Sequence, residues 1–141
     1  TDLKEVKKEI DFMNDAVTAG LIQSAHDISE GGIAVSIGEM CMGSRGDGSI
    51  GAEIMLDKIP ANKIRAEHKL FSENGGFICE ITPGNEKKVI SIAKKHKLKI
   101  HSIGKTIKIS KLLFYNKDEK IIDLGLEEAA KAWLNGLRDK L

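Results

Sequence analysis

The six residues Asp27-Ile28-Ser29-Glu30-Gly31-Gly32 constrain the fold more than any other stretch of the chain. Ahead of them, residues 21–27 follow Gly20 too closely to build a helix and read as a strand. Behind them, Ile33, Val35, Ile37, Met40 and Cys41 read as a largely buried helix of about ten residues. A chain that leaves a strand, turns on two glycines and enters a buried helix must layer helices on a sheet. Two adjacent glycines also let the backbone take left-handed conformations or pass close to a neighbour.

Spacing supplies the other elements. Leu3, Val6, Ile10, Met13 and Val17 recur at three and four residues, which predicts an amphipathic helix over 2–19, with Asp2 able to cap its start and Gly20 its end. Residues 43–51 form a loop by composition, 52–56 a strand, and 60–70 a short helix. A strand over 76–81 is stopped by Thr82-Pro83-Gly84, and a helix capped by Asn85 runs through Val89, Ile92, Ala93 and His96. Lysines alternating with Leu98 and Ile100 predict a half-buried strand over 97–103. Residues 108–115 and 120–124, joined by Asn116-Lys117-Asp118-Glu119, predict a hairpin. A last helix over 126–141 sets Leu126, Ala130, Trp133, Leu137 and Leu141 on one face. The expected class is α+β, helices layered with one mixed sheet, in a single domain spanning 1–141.

Composition removes several functional classes. With 141 residues, 41% hydrophobic and 30% charged, the chain is neither disordered nor of low complexity. No apolar run approaches the roughly 20 residues of a membrane span, and no signal peptide opens the chain. Cys41 and Cys79 are too few for a disulfide framework or a four-thiolate metal site, so the cytoplasm is the expected compartment. The first residue is Thr1 rather than methionine, and the chain is expected to be a piece of a longer protein.

The net charge of +1 makes no case for nucleic acid or an acidic membrane. Residues 84–120 nevertheless carry eleven Lys against Glu86, Asp118 and Glu119, a local +8 that leaves −7 elsewhere. With no arginine and few aromatics, the segment reads as a solvated surface, and a nucleic-acid-binding module is the alternative it leaves. Glycine is concentrated too, nine of the 14 falling between Gly31 and Gly76, where tight turns or close backbone approach are needed.

Three short motifs carry nothing. Gly46-Asp47-Gly48-Ser49-Ile50-Gly51 spells a dinucleotide fingerprint, but a helix precedes it and a strand follows, the reverse of the required order. Gly104-Lys105-Thr106 imitates the tail of a phosphate loop, yet position 99 is Lys and no helix follows. Arg45-Gly46-Asp47 is a coincidence of letters. The four histidines lack metal-ligand spacing; His68, His96 and His101 read as surface residues, and His26 as a structural histidine beside Asp27.

The 27–32 segment is the candidate site. An acid and a hydroxyl, Asp27 and Ser29, stand where a strand ends, Gly31 and Gly32 admit a close ligand, and the helix N–H groups face the same spot. That arrangement suits an anion, or an anion with Mg2+ on the carboxylate. An ordinary N-cap by Ser29 or Asp27 accounts for the same residues equally well. If the turn is a ligand loop, Gly31 or Gly32 is expected to have positive φ or to lie against a ligand or partner domain, and Gly32→Ala to disrupt the assembled protein while costing the chain itself about 1 kcal/mol. If it is only a cap, the change is expected to be mild in both settings.

Ser24-Ala25-His26-Asp27-Ile28-Ser29-Glu30-Gly31-Gly32-Ile33-Ala34-Val35, followed by Glu39-Met40, resembles the second C-terminal-type domain of large-subunit phosphoribosylformylglycinamidine synthases. These belong with aminoimidazole ribonucleotide synthetase, selenophosphate synthetase and thiamin-monophosphate kinase. The likeness continues through the glycine loop 43–51, Leu70-Phe71-Ser72-Glu73 and the terminal helix, in order along the whole chain, and Phe71-Ser72-Glu73 favours the synthase over its sister families. The resemblance implies an ATP-dependent ligase of purine biosynthesis. Its formamide substrate, formylglycinamide ribonucleotide, is activated by phosphoryl transfer and aminated with glutamine-derived ammonia to formylglycinamidine ribonucleotide.

It further implies that this chain is the last of four domains, with most of the ATP and Mg2+ machinery in the others, so that the piece alone holds no cofactor and does not catalyse. The implied partners are those other domains, a glutaminase and a small accessory subunit, with self-association of the isolated domain left open. The nucleotide or phosphate candidates are Asp27, Ser29, Gly31, Gly32, Ser72 and Glu73, with Asp27 the candidate for Mg2+. Asn74-Gly75-Gly76-Phe77 departs from the family pattern, being about one residue shorter and lacking an arginine. That departure fits the half of the enzyme that holds a structural nucleotide.

Overall fold

Helix α2 (Gly32–Gly43) organises the molecule because it is apolar nearly all the way round, and such a helix has to be covered on more than one side. The computed structural model, which describes residues 2–43, 50–60 and 64–136, brings strands of two separate sheets against it. In the smaller sheet β1 (Ile22–Asp27) pairs antiparallel with β3 (Phe77–Ile81). The larger is a mixed four-stranded sheet in the order β4 (Gly104–Ile107), β2 (Gly51–Met55), β5 (Lys111–Asn116) and β6 (Glu119–Gly125). Within it β2 and β5 run parallel, and the outer pairs are antiparallel.

The larger core fills the space between α2 and the four-stranded sheet. Ile37 and Cys41 of α2 meet Ala52 and Ile54 of β2 and Leu112 and Phe114 of β5. Leu70 of α3 (Ala66–Phe71) and Leu126 of α5 (Leu126–Asn135) close its ends. A second core lies beyond the small sheet, where Phe12 and Ala16 of α1 (Leu3–Thr18) pack with Leu21 and with Val89 and Ala93 of α4 (Glu86–Lys95). The small sheet belongs to both. Ile78 packs on the larger core, whereas Ile22 and Ile81 pack on the second.

Two helix ends obey their sequences, whereas Asn85 holds the N-cap position of α4 in right-handed backbone and makes no side-chain capping hydrogen bond. The Asp2 carboxylate accepts from the Lys4 amide at 2.9 Å, and Gly20 turns left-handed at φ 67° to end α1. Lys97 does the same for α4 at φ 61°, while the Leu98 amide donates back to the Ala93 carbonyl at 2.9 Å.

That turn explains one departure from the expected elements. Residues 97–103 form no strand, because the helix ending swings Leu98 onto the second core, and pairing resumes only at Gly104. The expected single sheet is instead two sheets, one of two strands and one of four, although the α+β class with its mixed sheet stands. The short helix expected over 60–70 is confined to Ala66–Phe71, with 61–63 outside the described residues. Residues 44–49 of the fingerprint-like loop, the Arg45-Gly46-Asp47 triplet, and Leu137 and Leu141 of the last helix also lie outside them. Still, α2 before that loop and β2 after it give the order that excludes a dinucleotide site. Gly104-Lys105-Thr106 lies in β4, followed by β5 rather than a helix.

His96 is not the surface residue its position suggests. Half-buried, it sets Nε2 2.9 Å from Asp15 Oδ2, and Lys95 Nζ meets the same oxygen at 3.0 Å, so one carboxylate clasps α1 to α4. The lysine excess of 84–120 finds its counter-charge in the same manner. Four of its eleven lysines pair with acids outside the segment: Lys95 with Asp15, Lys105 with Glu53, and Lys111 and Lys120 with Asp123.

Candidate functional site

Strand β1 ends by placing Asp27 opposite Phe77, and the Ile28 amide then donates to the Gly76 carbonyl at 2.9 Å. From there the chain reverses through two left-handed residues, Gly31 at φ 78° and Gly32 at φ 64°, as the paired glycines led one to expect. Gly32 is fixed by more than φ. A Cβ there would lie 2.7 Å from the Leu70 carbonyl oxygen and 2.8 Å from the Phe71 carbonyl carbon. The end of α3 is therefore pressed against the start of α2. This overturns the expectation that Gly32→Ala is mild in the chain alone, since the obstacle is the chain's own backbone. Beneath the turn, the buried Ser36 hydroxyl has the Asp27 and Gly32 carbonyl oxygens both at 3.0 Å and shares its proton between them.

The contact between α2 and α3 carries the loop after α3 to the same face. Glu73 Oε1 accepts a hydrogen bond from the Gly31 amide at 2.9 Å, and Ser72 Oγ accepts from Asn74 Nδ2 at 2.6 Å. Glu73 thus reaches the Gly31 amide across 42 positions, with Ser72 beside it in the same loop and the Leu70–Phe71 backbone on Gly32, while Asp27 and Ser29 stand exposed at the end of β1 and in the turn. The simple cap is not what forms. Among the described residues neither the Asp27 nor the Ser29 side chain accepts from the first turn of α2. Ser29 contributes its carbonyl, which accepts from the Gly32 amide at 3.1 Å. The Asp27 carboxylate is 64% exposed, 3.5 Å from His26 Nδ1.

His26 has the structural role expected of it, with partners the sequence did not disclose. Its Nδ1 lies 2.7 Å from the Asp27 carbonyl oxygen and its Nε2 3.0 Å from Glu39 Oε2. The other Glu39 oxygen accepts from Trp133 Nε1 at 2.9 Å. β1, α2 and α5 are joined through this carboxylate. The available signal was that Glu39 is the one charged residue in α2, and an acid on an apolar helix needs partners.

A shallow cavity of about 140 Å3 opens beside the turn, walled by Ile28, Ile33, Ile59 and Ile64 and rimmed by His68, Ser72 and Asn74. Pockets that engulf a drug-sized ligand run to roughly 300 Å3 or more, so this face is at most one wall of such a site. Among the described residues no group of three or more His, Cys, Asp or Glu is placed to hold a metal ion. The thiols are not poised nucleophiles. Burial, reinforced by Glu80, pushes Cys41 up to about 11, and burial raises Cys79 as well. No described helix is long and apolar enough to cross a membrane.

The family follows from comparison with known proteins. The sequence profile of the AIR synthase related protein C-terminal domain matches residues 1–112. Phosphoribosylformylglycinamidine synthase subunit PurL of Methanothrix thermoacetophila is 34% identical over 127 residues, which is 90% of this chain and 16% of that protein. The subunit of the same name from Methanocaldococcus jannaschii is 27% identical over 125 residues, 87% of this chain and again 16% of the relative. Among solved structures, Thermotoga maritima PurL complexed with ATP superposes with a TM-score of 0.81 at 21% identity, covering 92% of this chain and 22% of that one. At that identity the likeness speaks for the fold. The profile covers more than half of the chain, and the chain belongs to the AIR synthase related proteins, of whose C-terminal domain it is an example.

Proposed function

We propose that this chain is the C-terminal domain of a phosphoribosylformylglycinamidine synthase, acting within an ATP-dependent, ligase-type enzyme of purine biosynthesis and contributing one wall of a nucleotide site. The observation that carries the reading is the 34% identity to a PurL subunit along 90% of the chain. The Glu73–Gly31 hydrogen bond and the Leu70–Phe71 contact with Gly32 support it, since they bring two loops together beside the exposed Asp27 and Ser29. In the full enzyme ATP with Mg2+ would supply the phosphoryl group, and ADP would be its product or a resident nucleotide. Mg2+ typically takes one or two carboxylates together with phosphate oxygens. Asp27 fits such a role as a single exposed ligand, the remaining donors coming from other domains. One of the solved relatives is the PurLQS assembly of Thermotoga maritima, and by analogy the partners here are other synthase domains, a glutaminase and a small accessory subunit in the cytoplasm.

A chimera tests this reading. The matching segment of Methanothrix thermoacetophila PurL is replaced by this chain, and amidine formation is measured with ATP and ammonia. Retained ATP-dependent turnover is the expected outcome, alongside no ATP hydrolysis by the 141-residue chain alone. A folded but inactive chimera, or steady hydrolysis by the chain that Asp27→Asn abolishes, would sink the proposal.

A further inference from the structure

We propose that the seam formed by Leu3, Ile10 and Val17 on α1 is a docking surface, covered by an apolar ridge on another domain of the same polypeptide. The proposal rests on the reading above that this chain is one domain of a longer synthase.

Leu3, Val6, Ile10, Met13 and Val17 are the stripe that makes α1 amphipathic, and such a stripe ordinarily faces the core. Here it does not. α1 packs through Phe12 and Ala16, which are buried with Leu21 and with Val89 and Ala93 of α4. At 3.6 residues per turn, those two lie about 100° or more around the helix from Leu3, Ile10 and Val17. Met13 only edges onto the second core, and Val6 is half-buried. Leu3 is left 80% exposed, Ile10 54% and Val17 55%. Scattered apolar residues on a surface are ordinary. Three at seven-residue spacing, running along the outside of a 16-residue helix, make a continuous seam.

The area of the seam selects its occupant. Burying a Val, Leu or Ile withdraws on the order of 100 Å2 of apolar surface from water, so the three offer at most about 300 Å2. A stable pair of separate molecules needs roughly 800 Å2 from each. The seam is also two heptads long, short of the roughly three or four that mark a free-standing coiled coil. A second copy is therefore not held here. A domain tethered in the same polypeptide is, because its linker keeps it at about millimolar effective concentration. This chain spans 16% of the PurL subunits of Methanothrix thermoacetophila and Methanocaldococcus jannaschii, so most of a polypeptide of that kind lies outside it.

The test places one thiol at a time on α1, by Ile10→Cys, Val17→Cys and, at an exposed position off the seam, Lys4→Cys. Each is made in the 141-residue chain and in the PurL chimera described above, and iodoacetamide labelling is followed peptide by peptide by mass spectrometry. In the chain alone all three thiols should label at similar rates, whatever the protein concentration. In the chimera Ile10→Cys and Val17→Cys should slow by about tenfold or more while Lys4→Cys keeps its rate. Rapid labelling of the seam in the chimera would overturn the proposal, with or without amidine formation. So would a protected seam in the chain alone. Protection that grew with concentration would make a second copy the occupant, and protection that did not would mean that the chain covers its own seam. Equal slowing of Lys4→Cys would show the reagent shut out of the whole helix, and would overturn it too. Amidine formation is read separately on the chimera. An active chimera with an open seam sinks this proposal alone, whereas an inactive one with a protected seam keeps the docking surface and removes the assigned activity.

Discussion

Gly31 and Gly32 show how far single residues could be read. That one of the two would take left-handed backbone or lie against a neighbour was an expectation of the ligand-loop reading, and the structure shows both to be left-handed. What presses on Gly32 was not legible, since Leu70 and Phe71 are nearly forty positions away and reach it only through the packing of α3 on α2. Gly32→Ala is therefore expected to lower stability by about 3 kcal/mol or more, left-handed strain adding to a backbone clash. Gly20 is the control. It is equally left-handed at φ 67°, yet a Cβ there meets nothing within 4 Å, and Gly20→Ala should cost only about 1 kcal/mol. Urea midpoints of the two variants compare them, and equal losses would show that the α2–α3 contact is not tight. The thiols allow a second check at this scale. With Cys41 pushed up to about 11, alkylation of the folded chain at pH 8 should be slow and should accelerate sharply on unfolding. Rapid labelling of Cys41 in the native chain would mean that the larger core is open.

Between elements, the clasp of α1 to α4 makes a prediction about acid. The Asp15 carboxyl is held below its usual 3.8, first by the His96 hydrogen bond and then by that of Lys95. A carboxyl depressed in the folded state binds its proton more weakly there than in the unfolded chain. Its contribution is thus fully present above 3.8 and is lost as pH falls through the lower folded value. Asp15→Asn should be less stable than the wild type at neutral pH, and the gap should narrow as the pH falls below 4. Denaturation midpoints across that range measure it; a gap independent of pH would assign the clasp no role in acid sensitivity. The sequence hid this pair because Asp15 and His96 are 81 positions apart, and a histidine at a helix end reads as solvent-facing. It also hid the end of α4. Alternating Lys, Leu98, Lys and Ile100 has the period of a strand, but Lys97 in a left-handed turn spends Leu98 on the second core.

At the scale of the molecule, the order of helices and strands was legible from periodicity, and their division between two sheets was not. Strand patterns announce burial without naming the partner strand, so the pairing of β1 with β3 apart from the other four strands could not be read from them. This arrangement bears on cooperativity. Among the described residues the second core, around Phe12, is linked to the larger one by the β1–β3 pair, whose Ile78 packs on the larger core and whose Ile22 and Ile81 pack on the second. If α2 couples the two, the chain unfolds in one step, as expected for a domain of this size. Phe12→Ala tests the coupling, because it removes a buried ring from the second core and should cost about 3–5 kcal/mol. Trp133, the single tryptophan, reports from the opposite side, where its indole N–H donates to Glu39 of α2. One-step unfolding requires the Trp133 fluorescence midpoint to fall together with the far-UV circular dichroism midpoint in Phe12→Ala. A circular dichroism transition that moves while the Trp133 signal stays put would show two cores unfolding separately. In that case α2 would be a wall shared by two units rather than the element that makes them one.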